Sequence, residues 1–265
     1  MNKPLLRPVE SHLYKYQSCN LRRLKPIVTR GELYFPTPSQ LNDPAEAKPR
    51  LAKLSLEKIF SFLYDKFVIN NPGLSPTDYQ RTKAHIEHNS TQLGSLVLLK
   101  EMTRTFHTEL DAFRIYSISK RPDNMALWAK YADDHKGYCL EFSNSGLFAA
   151  AREVSYGDVV DFDPTDPAQI NAYFLFQKTL DWQTEEEVRL VAPRGSEPIS
   201  QFDPNLLTRI IVGQHMSDTE INVIRKWSNL RSPKLSMFRA EYDVFEHKLN
   251  FIPFPLQPDQ QLTRH

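Results

Sequence analysis

The sequence predicts an α+β fold with a mixed or antiparallel central sheet. Short alternating apolar runs recur between helical segments at irregular intervals, and the strands follow one another too closely for regular β-α-β units. Glycine is also scarce, with 8 residues against 19 prolines in 265. No two glycines stand closer than nine positions apart. That spacing excludes a Gly-x-Gly-x-x-Gly dinucleotide loop, a phosphate-binding Walker loop and a Gly-x-Ser-x-Gly nucleophile turn, each of which needs glycines a few residues apart.

Leu13–Tyr16 reads as a first strand, followed by a helix over Leu21–Arg30 with Asn20 as its cap, apolar positions at Leu21, Leu24, Ile27 and Val28, and Gly31 at its end. Leu33–Phe35 reads as a strand stopped by Pro36 and Pro38, and Gln40–Pro44 as a turn. From Ser55 to Asp111 the pattern is helical: Phe60, Leu63, Tyr64, Phe67 and Val68 form one stripe, Asn70–Gly73 breaks it, and Ser75-Pro76 starts a second helix. The whole chain reads as one domain in which residues 54–111 are a helical insertion or lid. Strands are then expected over Phe113–Ser119, Tyr138–Phe142, Val154–Tyr156 and Glu186–Ala192, with helices over Pro122–Asp134 and Ala168–Leu180. Arg209–Val212 precedes a helix opened by the capping box Ser217…Glu220, and Leu235–Tyr242 with Phe245–Phe251 close the fold as a hairpin.

With 33 basic and 32 acidic side chains the net charge is +1, which gives no polyelectrolyte drive toward nucleic acid or a membrane surface. The distribution is less even: residues 1–50 hold 9 basic and 4 acidic groups, residues 133–187 hold 3 and 12. This reads either as solvated faces or as the two walls of a cleft. Cys19 and Cys139 are too far apart in sequence for a zinc ribbon or a Cys-x-x-Cys motif. No apolar run reaches membrane-span length, and Met1–Pro8 lacks a leader-type apolar core, so a cytoplasmic location is expected.

The most heavily charged stretch is Trp182-Gln-Thr-Glu185-Glu186-Glu187-Val-Arg189-Leu. On a strand, Glu185, Glu187 and Arg189 would share a face, either as a catalytic set or as a cross-strand Glu187–Arg189 ion pair. His135 and Lys136 suit a helix C-terminus closed by Gly137, with substrate contact by His135 as the sharper alternative. Trp128 and Tyr131, at i and i+3, read as core or as a cofactor stack. His85 and His88 lack a third ligand at fixed spacing, and no metal is expected.

Leu13–Tyr16, Leu41–Pro44, Trp128-x-x-Tyr-Ala-x-x-His135-x-Gly-x-Cys-Leu-Glu-Phe142, Val154–Tyr156, Lys178, Trp182-x-x-Glu-x-Glu-x-Arg189 and Ile210–Gly213 together resemble one bacterial family, the domain-of-unknown-function family numbered 2971. A second resemblance bears on chemistry. Leu13-Tyr-Lys15-Tyr16, Asn20-Leu-x-x-Leu and Gly31-Glu-Leu are similar to the opening of ADP-ribosyltransferases, with Lys15 where those enzymes carry His or Arg. Phe113–Ser119 is similar to their middle motif, with Tyr116 or Ser117 as its key residue, and Glu185-Glu-Glu187 to their Glu-x-Glu strand.

This resemblance implies an ADP-ribosyltransferase-like sheet and an enzyme that uses NAD as substrate, as a transferase or NAD glycohydrolase, in a toxin or phage-defence role. Glu187 would stabilise the oxocarbenium-like ribose and Glu185 would activate the acceptor. Lys15, Tyr16, Tyr34, Tyr116, Ser117 and Arg189 would line the cofactor site. The transferase reading requires Lys15 beside Glu187 in a cleft. Two other readings stand beside it: a non-catalytic binding or regulatory module whose motif residues hold buried ion pairs, and a metal-dependent nuclease that gathers Glu141, Glu185 and Glu187 near Lys178.

Overall fold

A computed structural model describes residues 11–43, 47, 50–158, 161–166 and 173–254. Strand β1 (His12–Gln17) leads into α1 (Leu21–Arg30), where the Asn20 side chain accepts the Arg23 N–H at 3.2 Å and Gly31 ends the helix at φ 67°. After β2 (Glu32–Tyr34) come two helices, α2 (Leu56–Asn70) and α3 (Pro76–Leu110), each capped by a serine hydroxyl, Ser55 and Ser75. Then follow β3 (Arg114–Ser119), α4 (Met125–Tyr131), β4 (Tyr138–Ser143), the two-residue strands β5 (Arg152–Glu153), β6 (Ser155–Tyr156) and β7 (Gln177–Lys178), and β8 (Glu187–Ala192). The chain continues through β9 (Ile199–Gln201), β10 (Leu207–Val212), α5 (Asp218–Leu230), β11 (Ser236–Asp243) and β12 (Lys248–Pro253). The capping box predicted at Ser217 and Glu220 opens α5.

The main sheet has eight strands in the order β12-β11-β10-β4-β1-β3-β8-β5, mixed because β10 and β11 run parallel across α5 while the other pairs are antiparallel. Side chains alternate between its faces. One face carries Leu13, Tyr116, Leu140, Val188 and Ile210 into the largest core, covered by Leu24, Ile27 and Val28 of α1 and Ile221 and Ile224 of α5. The opposite face is shared by two smaller cores. Tyr16, Cys139 and Ile211 pack with Leu127 and Trp128 of α4, while Ile115 packs with Phe62 of α2 and Met102, Phe106 and Leu110 of α3. This second face also holds buried polar side chains, Ser119, Glu141, Glu187 and Arg189. No helix among the described residues is long and apolar enough to cross a membrane.

The helix expected over Ala168–Leu180 is corrected in its described part: Tyr173–Phe176 and Leu180–Glu185 are 3-10 turns with β7 between them, and the earlier residues lie outside the described set. The last expected strand before Arg209 starts at Glu187 rather than Glu186, because Glu186 takes a left-handed backbone at φ 45°. Pro44 of the predicted turn also lies outside the described residues.

Candidate functional site

The 3-10 turn over Leu180–Glu185 and the left-handed Glu186 swing the chain into β8, so Glu185 reaches the site from a turn and Glu187 from a strand. Both carboxylates meet the Lys178 ammonium, at 2.7 and 2.9 Å. Arg189, two residues along β8 and fully buried, forks Glu187 through Nε at 2.6 Å and Nη2 at 3.0 Å, and its Nη1 donates to the Leu175 carbonyl. The second oxygen of Glu185 accepts the Tyr131 hydroxyl at 2.8 Å and faces the Lys130 ammonium at 3.5 Å. Asn42 donates to the Tyr131 hydroxyl at 3.3 Å, and the Glu187 N–H donates to the Tyr156 hydroxyl at 2.7 Å. The turn itself is tied down by the Ser119 hydroxyl, which donates to the Glu185 carbonyl, and by the Asn124 amide, which donates to that of Thr184.

Burying ions costs several kcal/mol each unless pairing and hydrogen bonds offset it, and here the pairing is close. Burial by itself would raise the Glu187 pKa; the charge and hydrogen bonds of Arg189, with the Lys178 charge, outweigh it and hold the group down at about 2. Above this network the surroundings change. Trp182 is half-buried, and its ring centroid lies 3.2 Å from the Lys130 ammonium and 4.9 Å from that of Lys178. Lys130, Tyr131 and Trp182 form a partly exposed cationic and aromatic rim over a buried floor of Lys178, Glu185, Glu187 and Arg189.

The predicted residues divide into three groups. Glu185, Glu187 and Arg189 come together, but only Glu187 and Arg189 share a strand face, and they pair along one strand rather than across two. Ser117 stands beside them: it lies opposite Arg189 in the β3–β8 register, with its buried hydroxyl making no hydrogen bond among the described residues. Trp128, His135 and Tyr16 form a neighbouring support on the same face. The Trp128 ring stacks on His135 at 5.7 Å and meets Tyr16 edge-on at 5.4 Å, while the Tyr16 hydroxyl donates to the Arg121 carbonyl. They hold α4, which carries Lys130 and Tyr131.

The third group lies elsewhere. Lys15 alternates with Tyr14 and Tyr16 along β1 and points to the opposite sheet face, where its ammonium sits 5.0 Å from the Tyr116 ring and donates to the Ser117 carbonyl. Tyr116 is buried on that face against Phe35. Tyr34 is exposed on the small β2–β9 sheet and donates to Gln40. Lys15 and Glu187 are therefore not brought into one cleft. Nor are the nuclease carboxylates assembled, since Glu141 on β4 is three strands from Glu187 on β8, about 14 Å at the usual strand spacing.

Sequence reasoning set Lys178 beside Glu185 and Glu187 only in the nuclease reading and did not place Lys130, Tyr131, Trp182 and Tyr156 with them. Lys178 to Arg189 span a strand, a turn and a second strand, so no single period aligns them. The available signal was the set of motif residues quoted for the first family resemblance, of which Asn42, Tyr131, Tyr156, Lys178, Trp182, Glu185, Glu187 and Arg189 converge here.

The fold and site define an α+β protein with a buried ion-pair network beneath an aromatic and cationic rim. No family model matches the chain, and no curated protein or solved structure matches it.

Proposed function

We propose that the chain binds an anionic nucleotide, with NAD as the first candidate, at the rim formed by Trp182, Lys130 and Tyr131. One observation carries this reading: side chains from segments around residues 42, 131, 156, 178 and 189 meet in one buried charged network whose exposed edge holds the half-buried Trp182 indole with the Lys130 ammonium over its ring. An aromatic face takes a base and a cation takes a phosphate, while the buried floor fixes both groups in place.

ADP-ribosyl transfer, together with the transferase-like fold that goes with it, is a second reading, favoured by Ser117 beside the Glu185/Glu187 pair. The Lys15–Glu187 cleft that this reading requires is not formed, since the two side chains lie on opposite faces of the sheet, and Glu187 would also have to exchange the Arg189 fork for the ribose. The test is to incubate the protein with NAD, following thermal stability and nicotinamide release together in wild type and Glu187→Gln. Stabilisation by NAD without release supports a binding module. Release that is lost in a folded Glu187→Gln supports transfer. Neither stabilisation nor release removes the nucleotide reading.

A further inference from the structure

A second polar cluster lies on the same sheet face as the ion-pair network, toward β10. Glu141 is buried, and its neighbours in the register are Tyr14 on β1 and Arg209 on β10. The Thr208 hydroxyl donates to its Oε1 at 2.7 Å, the Arg209 Nε lies 3.2 Å from the same oxygen, and the His12 Nε2 stands at 3.9 Å. The β10 register shifts between Leu207 and Arg209, an irregularity of the kind that re-aims a side chain. Arg209 is gripped on two sides, by Glu141 at Nε and by the Phe238 ring 5.0 Å from its guanidinium carbon. Its side chain is nevertheless 48% exposed. A half-exposed guanidinium held between a carboxylate and an aromatic ring can offer a two-pronged donor to an oxyanion. The His12 imidazole, held by Ser11 at Nδ1, stands on the other side of the same carboxylate.

We propose that Arg209, buttressed by Glu141 and Phe238 and flanked by His12 and Tyr14, forms an oxyanion site that takes a phosphoryl group. A surface arginine that merely closes a buried carboxylate would have no reason to bind anions tightly, and this difference is measurable. In the full-length protein, inorganic phosphate and, separately, acetate are titrated while the His12 ring signals are followed by NMR.

Saturable phosphate binding is expected with a Kd below about 10 mM. It should weaken about tenfold in Arg209→Gln, and nearly as much in Arg209→Lys, because an ammonium cannot supply the fork. Acetate should bind more weakly than phosphate. A linear, non-saturating response, phosphate binding unchanged in Arg209→Gln, or acetate binding as tightly as phosphate would overturn the assignment. If Arg209→Gln leaves Glu141 unpaired and fails to fold, the double variant Glu141→Gln/Arg209→Gln removes both charges and must lose phosphate binding in the same way.

Discussion

Arg189 fixes the electrostatics of the site. Its side chain is fully buried, its fork satisfies both oxygens of Glu187, and its remaining terminal nitrogen is spent on the Leu175 carbonyl. Arg189→Met would leave Glu187 buried with Lys178 as its remaining cation, so a loss of about 3–5 kcal/mol in urea unfolding is expected. Arg189→Lys should recover little of it, because a point charge cannot reproduce two parallel hydrogen bonds. The pH dependence has a definite sign. Glu187 is held at about 2 against an ordinary value near 4.5, so its stabilising contribution is complete above about pH 5 and is lost as pH falls toward 2. Acid unfolding of Glu187→Gln should therefore show a flatter slope across that window than wild type. That Glu187 and Arg189 share a face was legible in the sequence from the period of two, whereas their pairing along one strand rather than across two was not. Lys178 was placed near both glutamates only in the nuclease reading; that its ammonium pairs with them directly depends on a 3-10 turn and a left-handed Glu186 that no periodicity announces.

Among the elements, α4 and the loop behind it bring the rim to the floor. Three successive non-glycine residues, Asp133, Asp134 and His135, have positive φ, and the loop is clasped by backbone bonds from Gly137 to Ala132, from Gly213 to Gly137 and from His215 to His135. Both glycines are needed for close approach: a Cβ on Gly137 would lie 2.1 Å from the Gln17 carbonyl oxygen, and one on Gly213 would lie 2.0 Å from that of His135. Gly137→Ala should cost at least about 2 kcal/mol and disturb α4, while Gly73→Ala, whose Cβ would meet nothing within 4 Å, should change stability little; chemical denaturation of both variants checks this. The helix expected to run over Pro122–Asp134 and stop at Gly137 ends instead at Tyr131, because Asp133, Asp134 and His135 turn to positive φ, so Gly137 is not its stop. Its role against Gln17 required knowing that β1 and β4 pair. The capped helices were legible for the opposite reason, since Asn20, Ser55, Ser75 and Ser217 each act within three residues of their own position.

At the scale of the whole molecule, the uneven charge of the sequence resolves partly into contacts. Arg50 pairs with Asp161 and Lys58 with Asp163, so these basic and acidic residues neutralise each other beside the α2–α3 core rather than facing one another across an open cleft. The α+β class was readable because it rests on local periods and the spacing of strands. The strand order was not, since β4 pairs with β1 and β10 across long stretches of chain. That order decides the candidate site: it places β3 beside β8, bringing Ser117 and Ser119 to Arg189 and Glu187, and leaves Lys15 on the far face. The rim above the network is the proposed nucleotide site. Calorimetric titration of NAD into wild type, Trp182→Ala and Lys130→Ala tests it most directly. Saturable binding by wild type that weakens about tenfold or more in each variant is the predicted result. No binding by wild type, or binding that is unchanged in Trp182→Ala, would contradict it.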